Sequence, residues 1–445
     1  MRNLILDPFF LFFISLNFFV YFTFFSLKIN KGSKARKIDL IAIPTFLFLT
    51  TNSKLEPFSF LNPINLSARD KSLSITLLQL GVYAITIFLI RSQYKDILSN
   101  LFSIYLLPFV GIFLFVNNIS WAWSQTPLHT FRSSLVLAGT AAVAMHISKK
   151  LSWDELMMVL LLNSSITVLI SIFVAVLLPS LGTGDKGWTG VLYHPIDFGA
   201  FMAFSSTLFF VHSLDAGKNV IPFRLMAIII SMVMLLSNSA GAIVALAVLL
   251  GTSCFLSFAK QLNTIQLVIY ILVSLMIGIV GALNSDAIFL SVLDFLGKEP
   301  NLTGRADIWP QIWDEIVKKP FLGYGYSGFW QPWRGIDNPA SNIMVASTQY
   351  IPPHAHNGFL EIFLDTGLIG FILFAASLVL VFYRSIKLFI KTRSKVFLVP
   401  VIFVIYVILL NLNQSSLLSP NYIWVYYVIF SAKIAMEYPL LSAQR

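Results

Sequence analysis

The stretch "NGFLEIFLDTGLIGFILFAASLVLVFY", residues 357–383, stays apolar for longer than a helix of a soluble domain requires. A helix needs roughly 17–25 residues to cross the hydrocarbon core of a bilayer. The stretch therefore predicts a membrane-spanning helix. Immediately before it, "PPHAH" at 352–356 places two prolines and two histidines where that helix would begin.

The composition of the whole chain agrees with a membrane protein. Of its 445 residues, 57% are hydrophobic and 11% are charged, and the mean hydropathy is +0.81. An ordinary soluble domain has about 25% charged residues, so this chain could not cover a soluble surface. The single cysteine, Cys254, lies in an apolar run. A disulfide within the chain and a cysteine metal site are therefore excluded.

Apolar runs of similar kind recur along the sequence and predict an all-α, polytopic membrane bundle of about 12–13 transmembrane helices. The sequence divides into N-terminal helices (1–119), a core (120–383) with an extracytoplasmic loop at 284–356, and C-terminal helices (384–445). Besides 357–383, the runs lie near 9–27, 38–51 (short), 73–91, 99–117, 130–147, 156–178, 196–213, 222–238, 240–258, 265–283, 397–412 and 421–437.

The positive charges orient this bundle. Residues 28–37 and 384–395 contain five Lys or Arg each, which places both segments in the cytoplasm. The formal net charge of +10 is then explained by topology and lipid headgroup contact, and no nucleic-acid partner is expected. The polar segments 120–132, 182–197 and 237–241 fall on the outer face together with the long loop.

The long loop contains one clear helical pattern. In "GRADIWPQIWDEIVKKP" (304–320), Ile308, Ile312 and Ile316 recur at helical spacing. The pattern predicts an amphipathic helix at the membrane interface or on top of the bundle. Arg305 stands at its beginning, where it would either anchor to lipid headgroups or bind an anion. Arg132, entering the membrane from the same side, has the same two explanations.

Ionisable residues concentrate where the loop meets the next helix. Glu361 in a first helical turn suits the helix dipole, and Asp365 should face the bundle interior. The two histidines and nearby acids have no metal-ligand spacing, which favours a metal-free site. Arginines can hold a diphosphate, and a histidine can accept a proton near neutral pH. Together they favour group transfer from a diphosphate-activated donor.

Several segments carry a family resemblance. "GRADIWPQIWDEIVKKPFLGYGYSGF" (304–329) and "HNGFLEIFLDTGLIG" (356–370) resemble the O-antigen ligase and polymerase family. "WSQTPLHTFR" (123–132), "GWTGVLYHPIDFGAF" (187–201) and "LLSNSAGAIVALAVLL" (235–250) resemble its exopolysaccharide branch. Ligases of the family often have a basic residue where this chain has Ala240.

The resemblance implies a GT-C-like fold in the bacterial inner membrane, with the active site facing the periplasm. It implies inverting, metal-independent glycosyl transfer without a cofactor, from an undecaprenyl-diphosphate-linked glycan to a glycan or to lipid A-core. Carried onto this sequence, it makes His356 the general base and Arg305 and Arg132 the diphosphate ligands. Further residues expected to line the substrate are His194, Trp309, Tyr324, Glu361 and Asp365.

Two alternatives stay open. A polymerase and a ligase differ only in the acceptor, and the exopolysaccharide resemblance favours a polymerase. A transporter or flippase of a lipid-linked glycan or small anion is the alternative from another class. Transporters concentrate ionisable residues at the membrane midplane. This chain concentrates its polar chemistry at the outer face, so an enzyme is favoured.

Overall fold

A computed structural model describes most of the chain from residue 109 onward. The described residues are 43–44, 46–48, 50–51, 109–192, 194–215, 220–258, 305–345, 350–412 and 414–443. The predicted spans at 9–27, 73–91 and 265–283 lie outside them. In the short 38–51 segment, the described residues are helical, and both Leu47 and Thr51 are buried.

The described part of the chain is mostly helical. Its α-helices are α1 (Phe109–Ile119), α2 (Pro127–Lys150), α3 (Trp153–Leu177), α4 (Pro179–Gly182), α5 (Pro195–Ser213), α6 (Val220–Leu235), α7 (Ala240–Phe258), α8 (Arg305–Lys318), α9 (Gly358–Thr392), α10 (Leu398–Asn411) and α11 (Tyr422–Ala443). Two two-residue strands, β1 (Thr183–Gly184) and β2 (Gly187–Trp188), form an antiparallel hairpin. Short 3-10 turns lie at Ser120–Ala122, Pro332–Asp337, Pro339–Asn342 and Lys395–Phe397.

The helices confirm a helical membrane protein. Among the described residues, α3, α5, α7 and α9 are long and apolar enough to cross a membrane. The run at 240–258 coincides with α7, and the run at 357–383 lies in α9, which continues to Thr392. Length and apolar composition predicted these helices because a spanning helix must bury its whole backbone in its own hydrogen bonds.

The bundle packs around one large apolar core. Its largest fully buried side chains include Trp424, Tyr406 and Phe204. The Trp424 indole N–H donates to the Leu137 carbonyl at 3.3 Å and ties α11 to α2. In the middle of α11, Lys433 Nζ donates to the Leu151 carbonyl at 2.7 Å, just beyond the end of α2. The two contacts tie the first half of α11 to α2.

A smaller core holds the outer loop on top of this bundle. Ile308, Ile312 and Ile316 of α8 are 1%, 0% and 3% exposed and pack with Leu364 of α9 and residues of the loop. The predicted amphipathic helix is thus confirmed. Its isoleucine face packs onto the protein, whereas Trp313 on the other side is 54% exposed. Helix α8 therefore sits on the bundle.

Helix α9 is broken at Gly367, and the outer loop fills the break. Gly367 has φ +64° and ψ −167°, a conformation that is essentially restricted to glycine. The Leu368 N–H donates to the Pro320 carbonyl at 2.8 Å, and the Tyr324 N–H donates to the Leu364 carbonyl at 2.7 Å. At a rise of 1.5 Å per residue, the loop therefore contacts α9 about 14 Å from the start of that helix.

This insertion explains how α9, a predicted membrane-spanning helix, can contain irregular backbone at Gly367. Irregular backbone is tolerated there only where protein satisfies its polar groups. Two loop carbonyls and two loop N–H groups replace the helical partners that the break removes. The loop is thereby locked to α9, and the first turns of α9 are locked beneath the histidines.

Candidate active site

The two histidines form a tight turn directly before α9. The His354 Nδ1 atom accepts a hydrogen bond from the His356 backbone N–H at 3.2 Å, and the two ring centroids lie 4.2 Å apart. His356 has a φ of +50°, which is uncommon for a residue other than glycine. Such a strained backbone persists only where surrounding contacts enforce it, and it is frequent at functional sites.

Helix capping fixes the end of this turn. The Asn357 side-chain oxygen accepts from the backbone N–H groups of Phe359 and Leu360, at 3.0 and 3.3 Å. The Asn357 N–H itself donates to Ser415 Oγ at 3.2 Å, in the segment between α10 and α11. The predicted helix start is confirmed, and the turn is anchored both to α9 and to the neighbouring helical pair.

Three histidines and an arginine share one electrostatic environment. Burial is the largest cause that lowers the pKa of His356, from 6.5 to about 4, and the charges of Arg305 and His194 lower it further. Burial, His356, Arg305 and His194 likewise lower the pKa of His354 to about 3. The mutual interactions show that α8, the histidine turn and the start of α5 converge here.

The hydrogen bonds distinguish His356 from the other two histidines. His354 Nδ1 and His194 Nδ1 each accept from a backbone N–H, that of His356 and of Ile196 respectively. A neutral imidazole with Nδ1 as acceptor carries its proton on Nε2 and is a donor there. Within the described part of the chain, neither ring nitrogen of His356 has a hydrogen-bond partner. Only His356 of the three can therefore offer either ring nitrogen to a substrate.

Arg305 contributes the positive charge of the site. It is the first residue of α8, is only partly exposed, and has a pKa lowered by burial. Its charge acts on all three histidines. A surface anchor in lipid headgroups would not need this placement, so the geometry favours the anion-binding interpretation of Arg305.

Arg132 is placed differently. It lies in the second turn of α2 and its side chain is exposed. Its neighbour Phe131 packs edge-on against Trp121, with centroids 6.4 Å apart. Among the described residues, no interaction of Arg132 with the three histidines is observed, so its role as a diphosphate ligand stays a prediction.

Trp309 and Glu361 contact the histidine turn from opposite sides. The Trp309 indole N–H donates to the Ala355 carbonyl at 3.0 Å. Glu361 Oε2 accepts from the Ala355 N–H at 2.8 Å. Ala355 itself is fully buried. Both residues were expected to line the substrate, and the structure places them against the backbone that carries the histidines.

Tyr324 and Asp365 lie deeper than expected for substrate-lining residues. Tyr324 is 5% exposed, its hydroxyl donates to Glu315 Oε2 at 2.7 Å, and burial raises its pKa. Asp365 is 4% exposed, with its carboxyl group near the backbone N–H groups of Ser327 and Gly328. Both side chains are engaged with the loop and α9, because the loop insertion at Gly367 buries this level of the helix.

Sequence reasoning missed Lys186. This residue is in the turn of the β1–β2 hairpin, and its charge helps to lower the pKa of His194. The Trp188 N–H donates to the Leu236 carbonyl at 2.9 Å and docks the hairpin on the turn after α6. The polar segments 182–197 and 237–241 are thus in contact with each other. The available signal was the lysine within an otherwise small and polar stretch, "GTGDKGW" (182–188).

The side chains of the site that can bind a ligand are imidazoles and cationic groups. Among the described residues, no three His, Cys, Asp or Glu side chains converge in a way that could hold a metal ion. The groups present can bind an anion through Arg305 and Lys186 and accept a proton on His356. Fold and site together define a helical membrane protein with a cationic, histidine-bearing site at one end of its bundle.

Comparison with known proteins finds similarity to one family over part of the chain. Residues 225–375 match the O-antigen ligase family, a stretch that contains Arg305, His356 and Glu361. The resemblance predicted from the sequence is confirmed for this region. The chain is 33% identical over 97 residues to the exopolysaccharide production protein ExoQ of Rhizobium meliloti. It is 34% identical over 80 residues to a candidate polysaccharide ligase of Rickettsia conorii.

These relatives match over short stretches only. The alignment with ExoQ covers 22% of this chain and 22% of ExoQ. The alignment with the Rickettsia conorii protein covers 18% of this chain and 19% of that protein. The chain therefore aligns with about a fifth of the length of each of these relatives.

Proposed function

We propose that the protein is a glycosyltransferase that moves an undecaprenyl-diphosphate-linked glycan onto an acceptor hydroxyl at the outer face of the bacterial inner membrane. The observation that carries the proposal is the state of His356. Both its ring nitrogens lack an intramolecular partner in the described part of the chain, and its pKa of about 4 keeps it neutral at pH 7. A neutral imidazole beside Arg305 suits proton abstraction next to an anion.

The transfer needs no reactive group beyond His356 and the two substrates. The acceptor hydroxyl gives its proton to a ring nitrogen of His356, and its oxygen forms a bond to the anomeric carbon of the donor sugar. The bond between that carbon and the diphosphate oxygen breaks, and the electron pair leaves with undecaprenyl diphosphate. Attack opposite to the leaving group inverts the anomeric configuration. General base catalysis of this kind contributes about 10²–10⁴-fold in rate.

Arg305 stabilises the negative charge that develops on the diphosphate. Its planar guanidinium donates two parallel hydrogen bonds to phosphate oxygens, which a point charge cannot do. The partly buried position strengthens this interaction relative to a solvated arginine. Lys186 adds a second positive charge on the hairpin side, and Arg132 is a further ligand if the bound donor extends toward α2.

The acceptor decides between a polymerase and a ligase. The names of the relatives include both exopolysaccharide production and polysaccharide ligase functions. Ala240 stands where ligases of the family often carry a basic residue, and the sequence resembles the exopolysaccharide branch more closely. We therefore favour a polymerase, whose acceptor is another lipid-linked glycan, over a ligase that acts on lipid A-core.

Reconstitution separates an enzyme from a transporter. Purified protein in liposomes would receive a synthetic undecaprenyl-diphosphate-linked oligosaccharide, and the release of undecaprenyl diphosphate and the growth of glycan would be measured together. We expect both products without added metal. Addition of lipid A-core tests the ligase alternative in the same vesicles. Movement of the intact donor across the bilayer with no release of undecaprenyl diphosphate would overturn the proposal in favour of a flippase.

A further inference from the structure

The residue between the two histidines is held by its backbone from both sides. The Ala355 N–H donates to Glu361 Oε2 at 2.8 Å, and the Ala355 carbonyl accepts from Trp309 Nε1 at 3.0 Å. The Ala355 side chain is 0% exposed. The N–H belongs to the peptide that joins His354 to Ala355, and the carbonyl to the peptide that joins Ala355 to His356. Because a side chain of another element binds each of these two peptides, the backbone on both sides of Ala355 has little freedom to rotate.

The two contacts connect the site to its two supporting helices. Glu361 lies in the first turn of α9 and bends back onto the chain ahead of its own helix. Trp309 lies one turn into α8, four residues after Arg305. Helix α8 therefore carries both Arg305 and the indole that binds the Ala355 carbonyl. This shared attachment sets the distance between Arg305 and His356.

The turn requires these two contacts on Ala355 because its backbone conformation is unfavourable by itself. The φ of +50° at His356 costs a residue with a side chain about 1–2 kcal/mol relative to ordinary helical or extended backbone. Without contacts on Ala355, the chain between Pro353 and Asn357 would relax to another conformation. The imidazole of His356 would then move away from the reacting hydroxyl.

We infer that Glu361 and Trp309 are positioning residues that act through the two peptide groups flanking Ala355 to hold His356 in its reactive orientation. This inference rests on the proposed function, in which His356 is the base. Helix-dipole stabilisation by Glu361 is compatible with it, but does not explain why the carboxylate meets the Ala355 N–H. A direct acid or base role for Glu361 is the competing explanation.

Substitution of Glu361 separates positioning from proton transfer. In Glu361→Gln, an amide oxygen still accepts from the Ala355 N–H, but the group no longer titrates. Positioning predicts that Glu361→Gln keeps most of the turnover, whereas Glu361→Ala lowers kcat about a hundredfold with little change in KM for the donor, since a misplacement near 1 Å has that cost. If Glu361→Gln loses as much turnover as Glu361→Ala, the carboxylate acts chemically and the inference is wrong.

Substitution of Trp309 tests the contact with the Ala355 carbonyl independently of Glu361. Trp309→Phe keeps an aromatic ring in the small core but removes the indole donor to the Ala355 carbonyl. We expect a fall in kcat of about tenfold, the equivalent of one hydrogen bond, with only a small decrease in the thermal unfolding temperature. The pH profile should also change in Glu361→Ala. A loosened turn exposes His356 to water, so its pKa rises toward 6.5 and the acid limb of kcat/KM moves to higher pH.

A readout without catalysis keeps the inference separate from the proposed function. Diethyl pyrocarbonate acylates neutral imidazoles, and peptide mass spectrometry distinguishes the modification of His356 from that of His354. Glu361→Ala should speed the modification of His356 severalfold, and Glu361→Gln should leave it at the wild-type rate. Equal modification rates in all three proteins would overturn the inference, even if glycan transfer is observed. If wild type shows no transfer but these rates differ as expected, only the proposed function fails.

Discussion

Gly367 of α9 lies directly against the backbone of Phe321 in the outer loop. A Cβ atom at position 367 would be 2.3 Å from the Phe321 carbonyl carbon. The Ile369 N–H donates to the Phe321 carbonyl at 3.3 Å. The outer loop and the membrane helix are thus in backbone contact, with no space for a side chain between them.

A side chain at position 367 should therefore detach the loop from the helix. Gly367→Ala adds backbone strain of about 1–3 kcal/mol at a positive φ, together with the clash on Phe321. We expect a lower thermal unfolding temperature in detergent and faster protease cleavage within 320–328. Gly251→Ala in α7 is the matched control, because no atom lies within 4 Å of its new Cβ. Equal effects of the two substitutions would show that the contact with Phe321 is not required.

Substitution of Arg305 tests whether it holds a diphosphate or anchors α8 to lipid. A headgroup anchor needs only a positive charge, which lysine supplies. A diphosphate ligand needs the planar pair of donors, each hydrogen bond being worth roughly 1.5–3 kcal/mol. We predict that Arg305→Lys lowers turnover at saturating donor about ten- to a hundredfold and that Arg305→Ala lowers it further.

The control for this experiment is an arginine of the same loop. Arg334 donates to the Gln125 side chain at 3.1 Å and has no contact with the histidines among the described residues. Arg334→Lys should leave the transfer rate unchanged. Wild-type turnover in Arg305→Lys would mean that Arg305 is an anchor, and Lys186 or Arg132 would then be the better candidate for the diphosphate ligand.

The pH dependence should reflect the lowered pKa of His356. A base must be unprotonated, so kcat/KM should fall only as the pH drops through about 4, rather than through the ordinary 6.5. Arg305→Gln removes one positive charge, which should raise the pKa and move this limb to higher pH. A limb near 6.5 in the wild type, unchanged by Arg305→Gln, would contradict the placement of the two residues.

The contribution of the histidines to the free energy of unfolding should also decrease at acidic pH. The pKa values of His354 and His356 are about 3 and 4 in the folded protein, against 6.5 as the ordinary value. Between these values the two histidines bind more protons in the unfolded chain, so their contribution to stability is fully present above about pH 6.5 and decreases as the pH falls. Initial rates at acidic pH must therefore be measured before the protein unfolds.

Topology is testable with reporter fusions. The five positive charges in each of 28–37 and 384–395 predict that these segments lie in the cytoplasm and that the loop with residue 335 lies on the opposite side. Fusions at residues 33 and 394 should report the cytoplasm, and a fusion at residue 335 the periplasm. A cytoplasmic signal at residue 335 would contradict the mechanism, because the site would then face away from a donor presented outside.

The helices of the described region could be predicted from the sequence because their signal is local. An apolar run of the right length predicts the element, and at α7 it predicts both ends as well. The break in α9 had no such signal. Gly367 follows Asp365 and Thr366 within a mostly apolar run, and its conformation depends on hydrogen bonds with residues 320–325, more than forty positions earlier.

The candidate site was predicted in part, and for a similar reason. The sequence and its family resemblance singled out His356 and Arg305, which the structure brings into one electrostatic environment. The preference for His356 over His354 has a physical basis that only coordinates provide, namely the hydrogen bond that occupies His354 Nδ1. The contacts of Glu361 and Trp309 with Ala355 likewise require the folded turn.

The release of undecaprenyl diphosphate by purified protein tests the central claim, that His356 is the general base, most directly. His356→Ala should lower this rate by about 10²–10⁴-fold, with unchanged protein level and unfolding temperature. His354→Asn should stay near wild type, because the Asn oxygen can accept from the His356 N–H in place of Nδ1. Equal and mild losses in both variants would contradict the claim and would leave the two histidines with a structural role.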